Sequence, residues 1–449
     1  MSSLAVWSVA MPAMGYAPSM NSRDISVPGM PYVPGRCCGT LHRGMADDPS
    51  GHIVILDAPL QGPFPRLPAG FIVVDGAPLS HTMIPMLGCG VPTVIVSHEQ
   101  AQELPADGVV MLDGASGRIT LHHSAAGPEL HSAPSNAPVS AAVPVTADGT
   151  LISLRVSARD ACAVRQAVRH GADAIGLVRS EVLEPGDGCL PDTAFYLAAF
   201  RGLCEAAGGL PVTIRLIDIA ADKHPAWLPA AADAGGAIGR QGVRLYHEEP
   251  LRQLYLAQLE AVSALAADFE LRVLLPYVAD RDELEYWIDV LRRYLPQAVS
   301  LGAMAETPAA ALQLGHWLEL ADFAAVGCND LMQCLFGADR DRPELRRYLD
   351  PHAPVLYRFL RDVAGAGGDR LERVQLCGVL PQLPGILPVL LGLGFRAFSV
   401  EAMLLPGLSQ SIADTRLRDA ESLAQYICGA RSSEEVRAVL GGNIPGRPG

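Results

Sequence analysis

In the second half of this chain, residues able to do chemistry recur at the ends of apolar runs. Arg179 and Glu181 close one run; Arg215 and Asp218 close the next, with Lys223 shortly after. Glu306 closes a later run, Asn329 and Asp330 close "FAAVGCND" with Arg340 a little beyond, and Cys377 precedes a glycine in "VQLCGVL". Two carboxylates such as Glu306 and Asp330 suit Mg²⁺, which binds few carboxylates and completes its octahedron with water and substrate oxygens. Arg179, Arg215 and Arg340 offer forked donors for bidentate bonds to a phosphoryl group. Asn329 can bond a carboxylate or phosphate oxygen. The Cys377 thiol can move a proton on or off carbon when its pKa suits. Taken singly, an arginine or aspartate at a strand end reads as a salt bridge, and Cys377 as a core thiol. The set acquires meaning only on a shared rim.

The pattern of runs supplies such a rim. From residue 151, short apolar stretches alternate with amphipathic helical segments: "ISLRVSA", "AIGLVRS", "VTIRLID", "RVLLPYV", "VSLGAMAE", "FAAVGCND", "VQLCGVL" and "AFSVE". Continuous apolar strands separated by helices predict a parallel sheet covered on both faces. Eight units over residues 151–449 predict an α/β fold with a C-terminal (β/α)8 barrel, whose chemistry sits at the carboxyl ends of the strands. A doubly wound open sheet is the competing architecture. Upstream, residues 26–121 carry short β-rich runs ("HIVILDA", "GFIVVDG", "PTVIVS", "GVVMLDG", "RITL") and one helix signal after Ser80, predicting a small β/α domain. Residues 1–25 read as an irregular tail, and residues 122–150, rich in Ala, Pro, Ser and Gly, as a flexible linker.

Composition narrows the function classes. Of the 449 residues, 49% are hydrophobic and 18% charged, a globular balance. A formal net charge of −14 argues against a nucleic-acid partner, because a phosphate backbone calls for a basic face. The ten cysteines lack the spacing of zinc ligands and read as reduced thiols of a cytoplasmic protein. No apolar run is long enough to span a bilayer, and the N-terminus lacks the basic start of a signal segment.

Six stretches then carry a family resemblance: "GADAIGLVRSEVL", "VTIRLIDIAADK", "GVRLYHEEPLRQLYLAQLEAV", "AMAETPAAAL", "VGCNDLMQCLFGADRD" and "VQLCGVLPQLPGILPVLLGLGFRAFSV". In this order the chain resembles the phosphoenolpyruvate (PEP)-utilising enzymes: enzyme I of the bacterial sugar phosphotransferase system, pyruvate phosphate dikinase and PEP synthase. The details of "LIDIAADK" and "LLGLGFRAFSV" look most like enzyme I. The resemblance implies that Arg179, Arg215 and Arg340 bind phosphate, Asn329 binds PEP, Glu306 and Asp330 ligate Mg²⁺, and Cys377 protonates the enolate to give pyruvate. Likewise "VVDGAPLSHTMIPMLGCGVPTVIV" resembles the swivelling phosphohistidine domain, with His81 as the phosphorylated residue and Ser80 or Thr82 capping the helix that follows. A helix N-terminus welcomes the phosphoryl anion and disfavours the imidazolium. The family's barrels dimerise, so a homodimer is implied.

Several positions depart from the family pattern. "GRQGVR" puts Gln241 where an active-site arginine is expected and shifts Arg240 by one; Ala220-Ala221 replace two glycines; Val379, Leu79 and Met86 replace a Glu, a Thr and an Arg. Neither the helical domain that docks enzyme I's phosphocarrier nor an ATP-grasp domain is read in the sequence. Three functions therefore stay open: phosphotransfer from PEP to a carrier protein, a subunit of a split synthase served by a separate ATP-binding protein, and a non-catalytic sensor of PEP or pyruvate.

Overall fold

The computed structural model describes residues 26–441 apart from 58–65, 81, 123–142, 187, 221–224, 226 and 229–238. His81, Lys223, Ala221, the tail and most of the expected linker lie outside the described residues.

Eight parallel strands close a barrel in the order β10-β11-β12-β13-β14-β15-β16-β9. They are β9 (Ser153–Ala158), β10 (Ile175–Arg179), β11 (Val212–Arg215), β12 (Leu271–Val278), β13 (Ser300–Ala305), β14 (Phe323–Gly327), β15 (Val374–Cys377) and β16 (Ala397–Val400). Each corresponds to one of the eight apolar runs, so the closed barrel stands and the open sheet does not. Alternate side chains divide between two environments, as a pleated strand requires. Leu177, Leu274, Met304, Phe323, Ala325 and Cys377 pack inside the barrel, while their neighbours join the outer helices in the main core. Phe323 reaches into the lumen because Gly302 faces it: a Cβ there would lie 2.7 Å from the ring.

The N-terminal region forms an eight-stranded mixed sheet in the order β1-β8-β7-β3-β4-β5-β6-β2. Its strands are β1 (Ser26–Pro28), β2 (Met30–Val33), β3 (Arg36–Arg43), β4 (His52–Leu56), β5 (Gly70–Val74), β6 (Thr93–Val96), β7 (Val109–Asp113) and β8 (Arg118–His122). Period-two alternation again assigns the faces. Ile53, Ile55, Ile72, Val74, Val94 and Val96 build the sheet's own core; Val54, Leu56, Phe71, Val73 and Ile95 turn the other way and join the core that continues into the barrel.

The sequence reading singled out β4 to β8 but not β1 to β3, where Pro28, Pro31, Gly29, Gly35 and Gly39 interrupt the pattern. It also expected one helix, and the described residues of the region form two. The second, His98–Glu103, carries a full capping box between Ser97 and Gln100, a readable start signal. The first helix is Ile84–Cys89, three residues later than a cap at Ser80 would place it. Ser80 instead organises a turn before it, accepting the Met83 N–H at Oγ (3.4 Å) and bonding the Thr82 hydroxyl (3.0 Å).

The helix Ile84–Cys89 rests on the segment after β16. A Cβ on Gly90 would lie 2.9 Å from the Met403 methyl, and one on Gly88 would lie 3.2 Å from Glu401 Oε2. Asp75 adds an ion pair with Arg346. The end of the Ala/Pro-rich stretch is fastened to the barrel as well: Ala147 N–H donates to Thr415 C=O (2.9 Å), and Asp148 accepts the Leu417 N–H (2.8 Å). Among the described residues no helix is long and apolar enough to cross a membrane.

Candidate active site

A recess at the carboxyl ends of the barrel strands, about 580 Å³ out to its open mouth, is walled by Arg179, Arg215, Glu306, Asn329, Asp330, Arg340 and Cys377. Ile84, Ser157, Leu177, Met304, Gln382 and Glu401 complete most of the wall. Every described residue singled out for substrate, metal or proton transfer thus faces one cavity. Asn329 and Asp330 do so from an unexpected element. The strand β14 stops at Gly327, and both residues lie in the first turn of the helix Cys328–Phe336. The apolar run hid this boundary, because the buried face of that helix continues the strand's composition.

Local backbone features aim each side chain. Tyr277, near the end of β12, has φ 52°, in the left-handed region that non-glycine residues seldom occupy. The β12–β13 register shifts there, and the Tyr277 N–H donates to Glu306 Oε2 at 3.0 Å. Glu306 also needs Gly327, where a Cβ would lie 2.6 Å from its Cγ. Asn329 is held by the turn after Cys377: Val379 N–H donates to its Oδ1 (2.9 Å), and Gly378, at φ +101°, leaves the space a Cβ would take 2.7 Å from that oxygen.

Charge is concentrated and buried. Arg215 is 3% exposed and pairs with Glu181, with Asp218 (2.9 Å) and, more loosely, with Glu306 (3.9 Å). Burial alone would depress the Arg215 guanidinium, but Asp218, Glu181 and Glu306 outweigh it and keep it firmly charged. Arg340, 2% exposed, pairs with Asp330 at 3.2 Å. Glu306 and Asp330 line the same recess and are the hard oxygen donors that Mg²⁺ takes, so the donor set fits that ion. Among the described residues no three His, Cys, Asp or Glu side chains converge as a metal cluster, and Mg²⁺ requires none.

Cys377 is 2% exposed, and its thiol donates to Val326 C=O at 3.4 Å. Burial, with Cys328 and Glu306 nearby, pushes its pKa well above the ordinary thiol value. It therefore carries its proton at neutral pH, the state a proton donor requires.

The sequence reading noted Glu181 and Asp218 but gave them no role; they fix Arg215. It missed Glu401 and Gln382, although Glu401 directly follows β16, where strand-end residues are the ones to inspect. Gln241 is 3% exposed and stands outside the recess wall, its Nε2 without a hydrogen-bond partner among the described residues. Val379 serves the site through its backbone N–H, and Leu79 and Met86 are core residues.

A parallel barrel with arginines, paired carboxylates, an amide and a thiol at one rim defines a class, and the comparisons agree with it. Residues 135–417 match the family described as PEP-utilising enzyme, PEP-binding domain. The chain belongs to this family. Among curated relatives, a phosphoenolpyruvate-protein phosphotransferase of Streptomyces coelicolor is 33% identical over 390 residues, covering 84% of this chain and 69% of the relative. A protein of the same name from Haloferax volcanii is 28% identical, covering 84% of this chain and 68% of its own length. Multiphosphoryl transfer protein 1 of Escherichia coli K12 is 28% identical over 287 residues, 61% of this chain and 34% of that protein.

Proposed function

We propose that this chain takes the phosphoryl group of PEP onto His81, releases pyruvate, and passes the phosphoryl group to a carrier protein. The convergence of Arg179, Arg215, Glu306, Asn329, Asp330, Arg340 and Cys377 on one recess carries this reading. Ile84, three residues beyond His81 in sequence, belongs to the same wall. The three guanidiniums offer bidentate donors to a group whose negative charge spreads over its oxygens during transfer. Asn329 orients the substrate by hydrogen bonding. The neutral His81 imidazole attacks phosphorus in line; the P–O bond to the enolate breaks and its electrons stay with the enolate. The Cys377 thiol gives its proton to the methylene carbon, forming pyruvate, and the thiolate regains a proton from solvent. Glu306 and Asp330 would hold Mg²⁺, which neutralises phosphate and enolate oxygens when bound. The relatives' names support a protein acceptor, and the N-terminal sheet, carrying His81, would swivel between barrel and acceptor.

Incubation with PEP labelled in its phosphate, with Mg²⁺, tests the proposal. Acid-labile label is expected on the wild type, with pyruvate released, and absent from His81→Ala. No label and no pyruvate, despite measurable PEP binding, would favour the sensor and overturn the phosphotransferase.

A further inference from the structure

One ionisable group in the recess has no part in that mechanism: Glu401, immediately after β16 (Ala397–Val400). Its backbone N–H is held by Gln382 Oε1 (2.8 Å), and Gln382 Nε2 in turn donates to Gly378 C=O (2.8 Å) in the turn after Cys377. Its carboxyl lies against the helix Ile84–Cys89, where a Cβ on Gly88 would come within 3.2 Å of Oε2. Glu401 is thus built into the wall, with the Ile84 helix limiting its room to swing into solvent. It shares that wall with Arg179, a strand-end guanidinium only partly buried.

We propose that Glu401 is an internal anion of the recess that competes with the incoming phosphoryl group for Arg179 and so sets the affinity for PEP. This rests on the reading of the recess as a PEP site. An ionised Glu401 opposes a phosphorylated ligand twice, by neutralising Arg179 and by repelling the phosphate directly; a protonated Glu401 does neither. Burial raises its pKa, and Arg179 and then Arg159 pull it back. Among the described residues, the other titratable groups that feel its charge are Tyr32 on the sheet and Cys89 at the end of the Ile84 helix, both of which it pushes upward.

The sign follows. As pH falls into Glu401's raised range, the carboxyl gains a proton and PEP binds more tightly than it would beside a fixed charge. The protonation of free PEP is common to wild type and variant and cancels in an affinity ratio. Calorimetric titration of PEP with Mg²⁺ into wild type and Glu401→Gln, from pH 5 to pH 8, reads the effect. The amide has the carboxyl's shape without its charge, and a melting curve verifies its folding. The variant is expected to bind PEP roughly tenfold more tightly at pH 8, with the ratio narrowing as pH falls. A ratio of one or below at pH 8, a ratio that widens as pH falls, or no PEP binding by either form overturns the inference. Absence of phosphohistidine with the ratio intact would remove the phosphotransfer reading and leave this one standing.

Discussion

At the residue scale, the division of labour between Cys377 and the arginines is the sharpest claim. The thiol is buried against Val326 C=O and carries its proton at neutral pH, so it is suited to proton donation and contributes little to holding an anion. Cys377→Ala should leave PEP affinity within about threefold of wild type while slowing pyruvate formation by roughly 100-fold, the usual worth of a positioned acid. Parallel calorimetry and lactate-dehydrogenase-coupled pyruvate assays separate the two; equal losses in both would mean the thiol is part of the binding wall instead. Residue types at strand ends were legible because a barrel puts those ends on one rim. Glu401 occupies such an end too, but its part in the wall arises from Arg179, Gln382 and Gly88, which only the fold brings to it.

At the element scale, the site depends on where strands stop and on which backbone positions lack a Cβ. All eight barrel strands could be read from composition, since strands buried on both faces are apolar throughout. The end of β14 could not, because Gly327 and Cys328 carry its small and apolar run into the first turn of the helix Cys328–Phe336, which begins without a side-chain cap. That junction places Gly327 opposite Glu306 and puts Asp330 in the first turn of the helix. Gly327→Ala drives a Cβ to 2.6 Å from Glu306 Cγ and must displace that side chain. The backbone there has φ −82°, which alanine accepts, so the cost falls on the carboxylate and not on the chain. Magnesium with PEP is expected to raise the melting temperature of wild type by ligand linkage. In Gly327→Ala that rise should be lost while the ligand-free melting temperature stays within a few degrees of wild type. A preserved rise would show that Glu306 is not needed for the cation.

At the scale of the whole molecule, the segment after Arg340 links site, sheet and C-terminus. Arg346 reaches back to Asp75 of the N-terminal sheet. Shortly after it, Asp350 ties the chain to the C-terminal helix Ser433–Leu440. The Asp350 carboxyl accepts the His352 N–H (3.0 Å), lies 3.3 Å from the His352 ring and pairs with Arg437. Burial by itself would raise its pKa; the His352 bonds, Ser433 and Arg437 together overcome this and hold it well below the usual carboxylate range. A carboxylate depressed in the folded state adds stability that is complete above its unfolded pKa and disappears as pH falls through the folded one. Asp350→Asn should therefore lower unfolding free energy at pH 7 by about 1–3 kcal/mol, the worth of hydrogen bonds to a charged group. Arg437 is half-exposed and its share is correspondingly small. Urea denaturation of wild type and variant at pH 7, pH 5 and pH 3 checks the sign: the gap should be full at pH 7, nearly full at pH 5 and narrowing at pH 3. A gap that widens toward acid would mean that Asp350 is stabilised by its protonated form and that the C-terminal helix is held by packing instead.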